Sequence, residues 1–144
     1  MKKLLILALL SLLISFAIAK PNLVATQSQE TLCLASNVYF EARGESFRGK
    51  LAVAMVTLNR TRLPDYPDTI CGVVYQKDQF SWTRKKHKIT DMDAWSDAIA
   101  VANLAIENPQ ILGNFKATHY HNTSVNPNWG LAKLGRIQHH VFYM

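Results

Sequence analysis

The chain has no His-Glu-x-x-His motif, no nucleophile elbow around a serine, no cysteine-protease signature and no internal repeat. The first absence removes the familiar helical zinc pair. The second and third leave Ser81 and Cys71 without the local machinery that activates a nucleophile. Without repeats or a linker, the roughly 125 residues beyond the N-terminal segment form one compact domain. Acids are few, 10 against 16 lysines and arginines. After residue 16 no stretch resembles a membrane span.

What is present begins with an address. Lys2 and Lys3 precede an apolar stretch over residues 4–16, and Ala17-Ile18-Ala19 supplies the small-x-small pattern of a signal-peptidase site. Residues 1–19 are therefore read as a signal peptide cleaved after Ala19, with an uncleaved membrane anchor as the alternative. Residues 20–29 read as a flexible polar lead-in, and residues 30–144 as the functional domain. The expected destination is the periplasm or the space outside the cell. There Cys33 and Cys71, the only cysteines, are expected to pair. A bridge across that loop contributes about 4 kcal/mol in the chain-entropy model. The formal net charge of +6 suits an anionic envelope polymer. The basic residues are scattered, and their one cluster, Arg84-Lys85-Lys86-His87-Lys88, reads as a solvated loop, so nucleic acid is not an expected partner.

Periodicity places the elements. Leu32, Ala35, Val38, Tyr39 and Ala42 recur at helical spacing over residues 30–42, with Ser28, or Thr26 with Gln29, as the cap and Gly44 as a left-handed stop. A second helix over residues 46–61 carries Leu51, Ala54, Met55 and Leu58 on one face, widened by Val53 and Val56, and is expected to be deeply buried. Thr69 caps a short third helix, and the stretch Gln79-Phe80-Ser81-Trp82 is irregular. A fourth helix starts at Asp91 or Asp93, turns Trp95, Ile99, Ala102 and Ile106 inward, and closes before Pro109. Residues 117–121 and 137–143 read as antiparallel strands, and residues 122–135 as the loop between them. The expected class is α+β: a mainly helical domain with a small antiparallel sheet bordering a cleft.

Three groups of residues can carry chemistry. Glu41 lies beside Tyr39 and Phe40 in the last turn of its helix. Loss of hydration and the negative end of the helix dipole both favour its protonated form. Such a glutamate can donate a proton to a leaving oxygen near neutral pH. Glycosidases usually add a second carboxylate, yet Glu45 reads more simply as a charge at the start of the next helix. One acid suffices where the sugar brings its own nucleophile. The C6 hydroxyl of a muramic acid can attack C1, giving a 1,6-anhydro ring without consuming water. The second group is His119 and His121, which share a strand face and form a possible zinc pair needing a third ligand such as His140. The third, Tyr39, Asn59, Phe80, Ser81, Trp82, Tyr120, Asn122, Trp129 and Tyr143, suits a carbohydrate cleft of rings and hydrogen-bonding groups.

Ordered motifs extend these residues into a resemblance. They are Asn37-x-Tyr39-x-Glu41-Ala42-Arg43-Gly44-Glu45, Leu58-Asn59-Arg60, Cys71-x-x-Val74-Tyr75-x-x-x-Gln79-Phe80-Ser81-Trp82, Thr118-His119-Tyr120, Pro127-x-Trp129 and His140-x-Phe142-Tyr143. Together they span nearly all of residues 32–143, and the chain resembles the cell wall hydrolases typified by spore-cortex-lytic enzymes. The resemblance implies a lysozyme-like catalytic domain acting on peptidoglycan glycan strands, with Glu41 as general acid of a muramidase or lytic transglycosylase. A monomer without a cofactor is expected separately. Two positions depart from the family pattern: His121 stands where an aromatic is common, and Gln138-His139 replaces a frequent Gly-Asn. A metal-dependent N-acetylmuramoyl-L-alanine amidase using His119 and His121, and a non-catalytic peptidoglycan-binding module, are the alternatives.

Overall fold

The computed structural model describes residues 27–144, so the segment read as a signal peptide and most of that read as a lead-in lie outside the described residues. In chain order the elements are α1 (Gln29–Ala42), α2 (Phe47–Arg60), α3 (Ile70–Val74), α4 (Met92–Glu107), β1 (His119–Asn122), β2 (Lys133–Ile137) and β3 (His140–Tyr143). A 3₁₀ turn, Ser81–Arg84, separates α3 from α4. Each α-helix starts where a side-chain oxygen accepts a free backbone N–H: Ser28 from Thr31, Ser46 from Gly49, Thr69 from Gly72 and Asp91 from Ala94.

The domain is arranged around α2. Its residues 51–58 are buried without interruption, so it keeps no solvent face and must be covered on two sides. Leu51, Ala54, Met55 and Leu58 join Leu34 and Val38 of α1 and Val101 and Ala102 of α4 in one cluster. Ala52, Val53 and Val56 pack instead with Ala42, Ala117 and Phe142. Thus α2 stands between a helical layer and the sheet: the Leu51, Ala54, Met55 and Leu58 face meets the helices as expected, whereas Val53 and Val56 turn to the sheet instead of widening that face. The Cys33–Cys71 disulfide forms as expected and ties α1 to α3, with the two Cα atoms 5.2 Å apart.

The C-terminal region is more regular than its sequence suggests. The stretch read as a loop supplies β2, and β3 lies central in an antiparallel sheet of order β1-β3-β2. The sequence of β2, Lys133-Leu134-Gly135-Arg136-Ile137, hides this because it is an edge strand. Charges, glycine and a register irregularity between Lys133 and Gly135 are the devices that keep such edges from pairing further. A two-residue turn, Gln138-His139, links β2 to β3, with Gln138 at φ 49°, where glycine is favoured. The departure from Gly-Asn therefore places a side chain in a left-handed position.

Two helix details also differ from expectation. Gly44 does not adopt a left-handed conformation; the chain leaves α1 through an αR Arg43, and the Glu45 N–H returns to the Ala42 carbonyl at 2.9 Å. On α4 the buried residues are Ala98, Val101, Ala102 and Ala105, while Ile106 is 36% exposed. One position beyond Ala105 lies about 100° around the helix, which carries Ile106 off the buried stripe.

Candidate active site

Glu41 projects from the last turn of α1 towards β1, and its side chain is half-buried. Burial raises its pKa, while a hydrogen bond from Tyr120 and the positive charge of Arg60 pull part of the way back. The Tyr120 hydroxyl donates to Oε2 of Glu41 at 3.2 Å. Burial, followed by the charge of Glu41, pushes that phenol well above its usual range, so it stays protonated as a donor. The Tyr120 ring is steadied by His140 at 5.1 Å and Phe142 at 5.8 Å between centroids.

Arg60 closes the other side. It ends α2, two positions beyond the buried run, and is itself 6% exposed. Its Nε donates to the Thr118 carbonyl at 2.7 Å and its Nη1 to Gln79 Oε1 at 2.9 Å. The guanidinium lies over the rings of Tyr66 and Phe80, at 5.2 and 5.8 Å from their centroids. Burial lowers its pKa; Tyr66, Tyr120 and Glu41 work in the opposite direction. Arg60 thereby fixes the start of β1 and places a held positive charge near Glu41.

The second acid is engaged elsewhere. The Glu45 side chain is 6% exposed, accepts the His139 backbone N–H at 3.1 Å, and lies 3.0 Å from His139 Nδ1 and 3.8 Å from His140 Nδ1. It pins the β2–β3 turn to the start of α2. A Cβ at Gly49 would fall 2.9 Å from the Glu45 Cβ, so glycine there makes room for this contact. Burial lowers the pKa of His140, and its Nδ1 has no hydrogen-bond partner.

The remaining sequence candidates divide into three sets. Tyr120 touches Glu41, and Trp82 stacks on Phe40 at 4.7 Å while its Nε1 donates to Asn37 at 3.3 Å. Trp129 is 43% exposed and gathers with His119, His121 and Tyr143 on the outer face of the sheet, with ring centroids 5.5 to 5.7 Å away. Ser81 and Asn122 are exposed, and Asn122 uses Oδ1 to accept the Ser124 N–H.

Three candidates need correction. Tyr39 is 1% exposed, because two residues along a helix point it roughly 200° away from Glu41, towards α4. Its oxygen there accepts N–H groups of Thr90 and Asp91. Asn59 spends its amide on the carbonyls of Phe115 and Ala117, both at 2.9 Å, and lines a cavity of about 510 Å³ that Glu41 does not line. Phe80 is 5% exposed and serves as the floor under Arg60.

The histidines do not assemble into one cluster. Cross-strand register puts His119 with Tyr143 and His121 with Val141 on one face, while Tyr120 with Phe142 and Asn122 with His140 take the other. The third ligand considered for the pair therefore lies through the sheet. Sequence reasoning passed over Arg60, Gln79 and Glu45 as site-builders. A charged residue at the end of a helix whose preceding run is apolar was the available sign for Arg60.

The fold and this site define a lysozyme-like domain with the partly desolvated Glu41 carboxyl held at a helix end. The chain belongs to the cell wall hydrolase family, whose model matches residues 44–143. That match begins just beyond Glu41, so the role of Glu41 rests on its surroundings. The spore cortex-lytic enzyme of Halalkalibacterium halodurans is 30% identical over 112 residues, covering 76% of this chain and 33% of the relative. That of Bacillus subtilis is 32% identical over 115 residues, covering 76% and 35%. The chain thus spans about a third of the length of these relatives. Among solved structures, the catalytic domain of the germination-specific lytic transglycosylase SleB from Bacillus anthracis superposes with a TM-score of 0.66 at 26% identity, covering 83% of this chain and 98% of that one. The Bacillus cereus SleB catalytic domain matches the fold with a TM-score of 0.62 at 24% identity, covering 87% and 98%.

Proposed function

We propose that this protein is exported and cuts the glycan strand of peptidoglycan between muramic acid and glucosamine, with Glu41 as its single general acid/base. The observation that carries this reading is the half-buried Glu41 carboxyl, its pKa raised by burial and its orientation held by Tyr120. Protonated Glu41 gives its proton to the bridging O4 as the C1–O4 bond breaks. The resulting carboxylate accepts the proton of the C6 hydroxyl as O6 bonds to C1. Atoms balance without water: one strand ends in a 1,6-anhydro ring, the other in a free 4-hydroxyl, and Glu41 regains its proton. The positive charge of Arg60 favours the carboxylate that exists between these two transfers.

Engagement of Glu45 with the β2–β3 turn supports transglycosylation over hydrolysis, because it takes up the neighbouring carboxylate that among the described residues would otherwise be the candidate to activate water. The disulfide and the signal-like first 19 residues support export. Mass spectrometry of digested sacculi tests the reaction. Anhydro-muramyl ends are expected; ordinary reducing ends would turn the reading to hydrolysis, and free peptides with intact glycan would sink it in favour of an amidase.

A further inference from the structure

The basic run Arg84-Lys85-Lys86-His87-Lys88 is the exposed loop its sequence suggests, and it is tethered to α1 at residues on either side and at His87. Trp82 holds its start, stacked on Phe40 and bonded to Asn37. His87 tilts against the same Phe40 ring, with centroids 5.6 Å apart. Its far end is tied by Tyr39, whose buried oxygen accepts the N–H groups of Thr90 at 3.2 Å and Asp91 at 3.1 Å. Between run and helix lies a cavity of about 610 Å³, floored by Phe40, Trp82 and Tyr75 and rimmed by the basic residues. Tyr75 stands edge-on to Trp82 at 5.9 Å and is 55% exposed.

No acid lines this cavity. The nearest acid on each side of the run in sequence is occupied, Asp78 with Arg84 at 3.2 Å and Asp91 in capping α4. Lys85, Lys86 and Lys88 have no ion-pair partner among the described residues. Exposed rings suit the apolar faces of sugars, and unpaired ammonium groups suit carboxylates. Phe40 is also the residue before Glu41, so the cavity and the reactive carboxyl share one turn of α1.

We propose that this cavity docks a carboxylate-bearing stem peptide of peptidoglycan, with neighbouring sugars over the Phe40, Trp82 and Tyr75 rings, and so anchors the strand beside Glu41. This rests on the substrate proposed above. Binding is measured with the full protein carrying Glu41→Gln, which leaves the polymer uncut. Co-sedimentation uses sacculi freed of phosphate polymers, the same sacculi stripped of stem peptides, and sacculi retaining their phosphate polymers.

The triple reversal Lys85→Glu, Lys86→Glu and Lys88→Glu is expected to weaken binding to intact, phosphate-free sacculi about tenfold. A control reversing Lys77, Lys116 and Lys133 changes net charge equally and is expected to do far less. Stripping the peptides should remove the difference between the two variants. Tyr75→Ala should weaken binding to both peptide-bearing and stripped strands, and melting curves confirm that each variant folds. Three results would overturn the proposal: undiminished binding by the triple variant, equal loss in the control, or a lysine effect only where phosphate polymers remain. Glycan cleavage by the wild type is scored separately, so its failure alongside an intact binding pattern would remove the catalytic reading and leave this one standing.

Discussion

The two faces of the three-stranded sheet are made of the same residue types and do different work. On the inner face, Tyr120, His140 and Phe142 pack towards α2, and Tyr120 reaches Glu41. On the outer face, His119, His121 and Tyr143 gather under a half-exposed Trp129, with the Tyr143 hydroxyl and His121 Nε2 3.0 Å apart. Side-chain alternation along β1 sorts chemistry from surface contact, one residue at a time. Burial then sets the behaviour of each set: the inner rings are packed and fixed, whereas Trp129 on the outer face is open for stacking.

The largest expected contrast is in turnover. Glu41→Gln should lower the rate on sacculi by about 10²- to 10⁴-fold, the range of a lost general acid. Trp129→Ala should cost about tenfold and act through KM; comparable losses in kcat would erase the distinction between the faces. Next comes stability. Phe142→Ala is expected to destabilise by about 3–5 kcal/mol in a denaturant melt, as for other buried aromatic truncations, whereas Trp129→Ala on the exposed face should cost about 1 kcal/mol or less.

A smaller effect concerns pH. Activity needs protonated Glu41 and falls as pH rises through its pKa. Tyr120→Phe removes a hydrogen bond that lowers that pKa, so the basic limb of the pH–rate profile should move upward. His121→Phe on the outer face should leave that limb in place. The smallest effect is on stability against pH. A carboxyl with a raised native pKa makes the folded state bind more protons than the unfolded one, so stability falls as pH rises from the unfolded value through the native value. Glu41→Gln should therefore match the wild type below about pH 4 and be the more stable of the two near neutrality. Parallel curves at all pH values would show that Glu41 keeps its ordinary pKa.

Much of the helical layer was legible because apolar spacing and capping residues are local signals. Glu41 was legible too, but through the wrong neighbours. Tyr39 and Phe40 adjoin it in sequence and point to α4 and Trp82, while the groups that surround its carboxyl, Arg60 and Tyr120, arrive from distant parts of the chain. Sequence adjacency on a helix separates side chains rather than gathering them. The edge strand β2 was hidden for the opposite reason: its charges and glycine protect it from aggregation and look like a loop. The buried role of Asn59 could not be read because its partners are backbone carbonyls, which any sequence provides.

The last turn of α1 sets a limit on how this chain can vary in length. Tyr39, Phe40 and Glu41 are consecutive, and each faces a different surrounding: the phenol ties down residues 90 and 91, the phenyl ring carries Trp82, and the carboxyl meets Tyr120. Removing or adding one residue upstream within α1 would rotate all three by about 100° and deal each the wrong neighbour. Such an indel would disorganise the basic run, the aromatic floor and the acid together, although it touched none of them. The tip of the segment joining β1 to β2, exposed and outside the sheet, has no such phase to keep and is where insertions should be borne.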